Sequence, residues 1–174
     1  DTEAHPFLSA GTRSVLPGDH LDLGLDNLVG PVDRPADLRF VDDEWEATGG
    51  VDRDLVAVRT CWKLAAALVV GGTRHRWPPE TTVDRLADEL CALLPDGPPA
   101  ATVDHLHVAE ASLRIEAMGG DLATHVAQLR AAGRRSVADP TVGSGGRSPL
   151  GRRLAALKRL PGGNLLADLV RRLR

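Results

Sequence analysis

"DRDLVAVRTCWKLAAALVVGG", residues 52–72, decides the fold class. Leu55, Val58, Trp62, Ala65, Leu68 and Val69 recur at three- and four-residue steps, which lays them along one face of an α-helix. The helical period begins from Asp52, and Gly71-Gly72 supplies the stop. The same logic predicts three more helices downstream. One is capped by Thr81 or Thr82 and carries Val83, Leu86, Leu90 and Leu94 up to Pro95. Another starts at Thr102 and carries Val103, Leu106, Ala109, Leu113 and Ala117 up to Gly119-Gly120. The last is capped by Asp121, with Leu122, Val126 and Leu129 inward and Gly133 closing it.

Composition agrees with a helical core. Hydrophobic residues make up 43% of the 174, yet aromatics are only 3%, so the interior must be built from Leu, Val and Ala. That length suits one domain. The longest apolar run, "LAAALVV" at 64–70, is far short of the roughly 20 residues that span a bilayer, and a cytoplasmic protein is expected. Cys61 and Cys91 form no metal-binding pattern and are expected as buried thiols.

Upstream of the first helix the pattern changes. "NLV" at 27–29 and "LRFV" at 38–41 are short apolar segments separated by "GPVDRPAD", which predicts a β-hairpin. Residues 1–19 show no period and are expected to be an irregular lead-in. Residues 134–149 have a linker's Gly, Ser and Pro content. The organisation expected is therefore a helical domain over 1–133, a flexible linker over 134–149 and a basic amphipathic tail over 150–174. From Arg147 onward eight Arg and Lys face one acid, a net +7, which leaves −10 on the rest of a chain whose total is −3. This tail could meet an anionic membrane surface, with the protein peripheral to it, or an acidic protein partner; nucleic acid is not expected, for want of aromatics and of a recognition motif.

The chemistry-bearing residues flank the hairpin. "HLDLGLDNLV", residues 20–29, holds H-x-D-x-x-x-x-N, and "FVDDEWEA" follows at 40–47. Phosphoryl transfer needs a carboxylate to orient the attacking hydroxyl and hard oxygen ligands to hold magnesium. Asp22 is the candidate catalytic carboxylate, Asn27 and Asp42 are the candidate metal ligands with Asp43 as an alternative to Asp42, and ATP and magnesium would be the cofactors. His105 and His107, two apart on one helix, cannot share a metal and are expected solvated or hydrogen-bonded. Trp45, Trp62 and Trp77 are expected as core and rim packing.

His20, Asp22, Leu23, Asn27, Leu28 and Val29, with "LRFVDDEW" after them, resemble the catalytic loop and metal-binding segment of the aminoglycoside and choline kinase-like superfamily. The resemblance implies a mainly α, kinase C-lobe-like domain with one short hairpin, and places His20 and Glu44 beside the cofactor. The superfamily's glycine-rich loop and strand lysine have no counterpart in residues 1–18, where Arg13 is the only arginine or lysine. A second resemblance covers residues 20 to about 70. The run D-x-x-x-x-N-L-V, then "FVDDEW", then "GGVDRDLVAVRTCWKLA" is similar to a C-terminal region of bacterial S-adenosylmethionine-dependent methyltransferases and glycosyltransferases of cell-surface polysaccharide synthesis. Arg59 matches that region's internal helix arginine; it is a candidate ligand anchor, or else an ion-pair partner of Glu44 or Asp43. The reading expected from this resemblance is a non-catalytic accessory domain whose partner is the remainder of a larger upstream transferase. The alternatives are a small-molecule phosphotransferase whose N-lobe lies elsewhere, and an interaction module docking through its basic tail.

Overall fold

The computed structural model describes residues 6–8, 12, 14–23, 27–31, 34, 37–41, 47–71 and 77–138. Within them the chain is mainly helical, with four α-helices and two small antiparallel pairings near the N-terminus.

The helices fall where the caps put them. Asp52 accepts from the backbone of Asp54 and Leu55 and opens α1, Arg53–Val70. Thr82 accepts from Arg85 to open α2, Val83–Cys91, and Thr102 accepts from His105 to open α3, Val103–Met118. Asp121 does the same through Thr124 for α4, Leu122–Gly133. Each cap satisfies a backbone donor that the first helical turn leaves free.

Two helix ends differ from expectation. α2 stops at Cys91 rather than before Pro95, because the backbone of Leu93 and Leu94 turns back to Leu90 and Cys91 in tighter i to i−3 bonds. Pro95 disfavours the helical conformation at Leu94, so the last turn is tightened rather than extended. In α4, Leu122 lies on the exposed side, and Leu129 and Gly133 are the residues buried.

The expected hairpin is present: Leu28 pairs with Phe40 and Val29 with Arg39, as strands β2, Leu28–Val29, and β3, Arg39–Phe40. A second pairing was not legible. β1, Val15–Leu16, runs antiparallel to β4, Val51–Asp52, so part of the expected irregular lead-in is tied to the start of α1. Gly50, at φ 95°, makes this possible, since a Cβ there would lie 2.6 Å from the Leu16 carbonyl oxygen. The Phe7 carbonyl also accepts from Asp52, and Phe7 itself is fully buried.

The core is one cluster. α1 packs most extensively on α2, α3 packs on α4, and α1 meets α3 across the middle. Phe7, Leu21, Val51, Leu55, Leu86 and Leu106 close it, while Trp62 and Trp77 pack against its rim and both cysteines are buried within it. The chain stays attached just beyond α4: Arg135 accepts from Val83, Ser136 bridges Thr82, and Ala138 donates to Pro79. These contacts cover 134–138, where the linker was expected to open; the rest of the linker and the basic tail lie outside the described residues. Among the described residues no helix is long and apolar enough to cross a membrane.

Candidate functional site

Pro17 leads into a tight 3-10 turn over Gly18–Asp22, which buries Leu21 and swings Asp22 onto the side of α1. Arg59 meets it there. It sits four residues after Leu55, on the inward side of α1, and its side chain is only 9% exposed. A guanidinium cannot lose its charge inside a protein, so a buried arginine must be matched by acceptors. Here Nη1 donates to the Leu21 carbonyl at 2.5 Å and to Asp22 Oδ1 at 2.7 Å, and Nε donates to Glu110 of α3. The cation also lies 5.7 Å from the centre of the Phe7 ring, within cation–π range.

Two further donors complete the surroundings of Asp22. Lys63, one turn along α1 from Arg59, reaches Oδ1 at 2.8 Å, and Asn27 Nδ2 reaches Oδ2 at 3.1 Å as well as the Asp22 carbonyl. Three of the roughly four acceptor positions of the carboxylate are thus filled from within the fold. Burial pushes the Asp22 carboxyl up, but the hydrogen bonds and charges of Lys63 and Arg59 outweigh it and hold the group below the ordinary carboxylate range. Burial likewise pushes Arg59 down, and Glu110 and Asp22 more than reverse it. The result is a cross-link of opposite charges joining the N-terminal segment, α1 and α3.

Of the candidate residues, the structure brings Asp22, Asn27 and Arg59 together. His20 is directed elsewhere, with Nδ1 2.6 Å from Asp19 Oδ1 at the surface. Asp42 and Glu44, like Asp43 and Trp45, lie outside the described residues. Arg59 finds its acids in Asp22 and Glu110, 37 and 51 residues away along the chain. Glu110 was not singled out from the sequence. The signal was present, since Glu110 falls on the same side of α3 as Leu106 and Leu113, and an acid on one apolar face answers an arginine on another.

No family model, curated protein or solved structure matches the chain. Its chemistry therefore rests on the geometry. A general base works best when its pKa lies near the working pH, and Asp22 is displaced the other way. Among the described residues no group of three or more His, Cys, Asp and Glu is placed to hold a metal ion.

A second polar cluster lies where α1, α2, α3 and α4 meet. Asp84 Oδ1 accepts from Trp62 Nε1 at 2.7 Å, and His107 packs edge-on to Trp62 at 5.9 Å between ring centres. His107 is buried, contrary to the expected solvated or hydrogen-bonded histidine. Its Nε2 is 3.3 Å from Asp84 Oδ1, yet neither ring nitrogen makes a hydrogen bond. Burial and the neighbouring Asp84 push the Asp88 carboxyl up.

Proposed function

We propose that this chain is a non-catalytic accessory domain of a larger S-adenosylmethionine-dependent methyltransferase or glycosyltransferase acting on cell-surface glycans. In this reading the phosphotransfer-like motif is kept as a clamp on the fold. The observation that carries it is the internal use of Asp22: the carboxylate is held ionised by Arg59 and Lys63 and fixed by Asn27. A carboxylate so matched is a poor proton acceptor for an incoming hydroxyl. The similarity of residues 20 to about 70 to the C-terminal region of those transferases supports the assignment to a larger enzyme. The basic stretch 147–174 would then be the part that meets an anionic membrane surface or an acidic partner.

Titration calorimetry with ATP and magnesium, on the full chain and on Asp42→Ala, tests the reading. The expected result is no saturable heat in the micromolar range for either protein. A micromolar dissociation constant abolished by Asp42→Ala would overturn it and establish a phosphotransferase-type nucleotide site.

A further inference from the structure

Three polar groups stay unused at the edge of the ion network, and the residues that carry them line one recess. Arg59 engages Nε and Nη1, and its Nη2 makes no hydrogen bond among the described residues. Glu110 gives Oε1 to Arg59, and its Oε2 has no partner among the described residues. Arg114, half-buried and one turn beyond Glu110 on α3, makes no ion pair among the described residues. These residues line a cavity of about 260 Å³ whose apolar wall is Leu113, Ala117 and Met118, with Leu21 and the already satisfied Asp22 behind them.

The charges select the ligand. Asp22 and Glu110 balance Arg59 and Arg114, so the lining has no net preference for a cation or an anion. The lining residues nonetheless keep free valences of both kinds, a carboxylate oxygen of Glu110 and guanidinium donors of Arg59 and Arg114. A molecule carrying an ammonium and a carboxylate close together satisfies both at once. Residues four apart on a helix hold their Cβ atoms about 6 Å apart, so Glu110 and Arg114 are spaced to take the two ends of such a group. The volume lies just below the roughly 300–1,000 Å³ of pockets that enclose drug-sized ligands, which points to something smaller. Met118 is 69% exposed, and its flexible side chain can fold over an apolar group seated on Leu113 and Ala117.

We propose that this recess binds a free α-amino acid with an apolar side chain. The ammonium pairs with Glu110 Oε2, the carboxylate lies between Arg114 and Arg59 Nη2, and the side chain rests on Leu113, Ala117 and Met118. The site gives the domain a ligand response independent of the accessory role proposed above.

The test is a chemical-shift titration of the full chain with L-leucine, L-leucinamide, N-acetyl-L-leucine and glycine. Leucine should shift the Leu113 and Met118 signals saturably with a dissociation constant of about 1 mM, a value within reach of nine heavy atoms. Leucinamide and N-acetylleucine, each lacking one charge, should bind at least about tenfold more weakly, the loss expected for one charge-assisted hydrogen bond. Glycine, with no side chain to bury, should also bind more weakly. Arg114→Gln spares the Asp22–Arg59–Glu110 network, so it should weaken leucine by about tenfold while leaving the already weak leucinamide unchanged. Equal binding of leucine and either capped derivative would overturn the proposal, as would full leucine binding by R114Q or no saturable shift up to about 20 mM, some twentyfold above the expected constant.

Discussion

Replacing Asp22 by alanine should destabilise the fold by about 3 kcal/mol, within the range found when one partner of a buried ion pair is removed. The figure can be assembled from its contacts. Arg59 is 9% exposed and loses a 2.7 Å bond to a charged acceptor, worth about 1.5–3 kcal/mol, but it keeps Glu110 and the Leu21 carbonyl, which favours the lower half of that range. Lys63 is 30% exposed, so water replaces much of its bond and the loss stays under about 1 kcal/mol. Asn27 retains the Asp22 backbone carbonyl and loses only a neutral donor's share, about 0.5–1 kcal/mol. With a urea slope of about 2 kcal/mol per molar, the unfolding midpoint should fall by about 1.5 M, followed by far-UV circular dichroism of the four helices. Asp19→Ala, which removes only the surface contact to His20, is the matched control and should shift the midpoint by under about 0.3 M. A D22A midpoint within about 0.3 M of the parent, at unchanged slope, would refute the clamp.

Acid should act through the same group. The folded-state pKa of Asp22 is depressed below its unfolded value near about 3.9, so its contribution is complete above that value and is lost as pH falls below it. The stability difference between the parent and Asp22→Asn, measured by urea midpoints from pH 7 to pH 2.5, should be constant above about pH 5 and shrink below about pH 4; a difference that grows on acidification would contradict the assignment. At the second cluster, a Cβ added at Gly133 would lie 2.1 Å from Asp84 Oδ1, the atom that accepts from Trp62. Gly133→Ala should therefore lower stability by about 1–3 kcal/mol, as overpacking does, and change the Trp62 emission spectrum. A gain of the size that glycine-to-alanine usually gives at an open helical position, about 0.4–1 kcal/mol, would show that no clash exists.

What could be read in advance was local. Thr82 and Asp121 announce their helices because a cap and an apolar period lie within one or two turns of each other, and the onset of the period alone marks the starts at Asp52 and Thr102. The β2–β3 pairing was legible for the same reason, since a turn-rich segment separates two short apolar runs. The β1–β4 pairing joins strands of two residues that lie 35 positions apart, and no period exists in two residues. Phe7 gave no pattern at all, because a single aromatic in an irregular stretch is buried by tertiary contact alone. The site was half legible. Asp22, Asn27 and Arg59 were marked by motif and resemblance, whereas Glu110 required pairing an acid on one helix with an arginine on another before their packing was known. His107 failed differently: its spacing from His105 argued against a shared metal, but nothing local distinguishes a buried ring from a solvated one.

The network at Arg59 also bears on how the helices choose their alignment. A core of Leu, Val and Ala has few distinctive shapes, and α1 could slide along α3 by one turn, about 5.4 Å, while still burying comparable apolar surface. Such a slip would take Glu110 away from the Arg59 guanidinium and set Leu106 or Leu113 in its place, at a cost larger than the packing differences among apolar side chains. The buried charges thus act as a vernier between otherwise interchangeable alignments. They make one setting of α1, α3 and the N-terminal turn distinctly lower in energy than its neighbours.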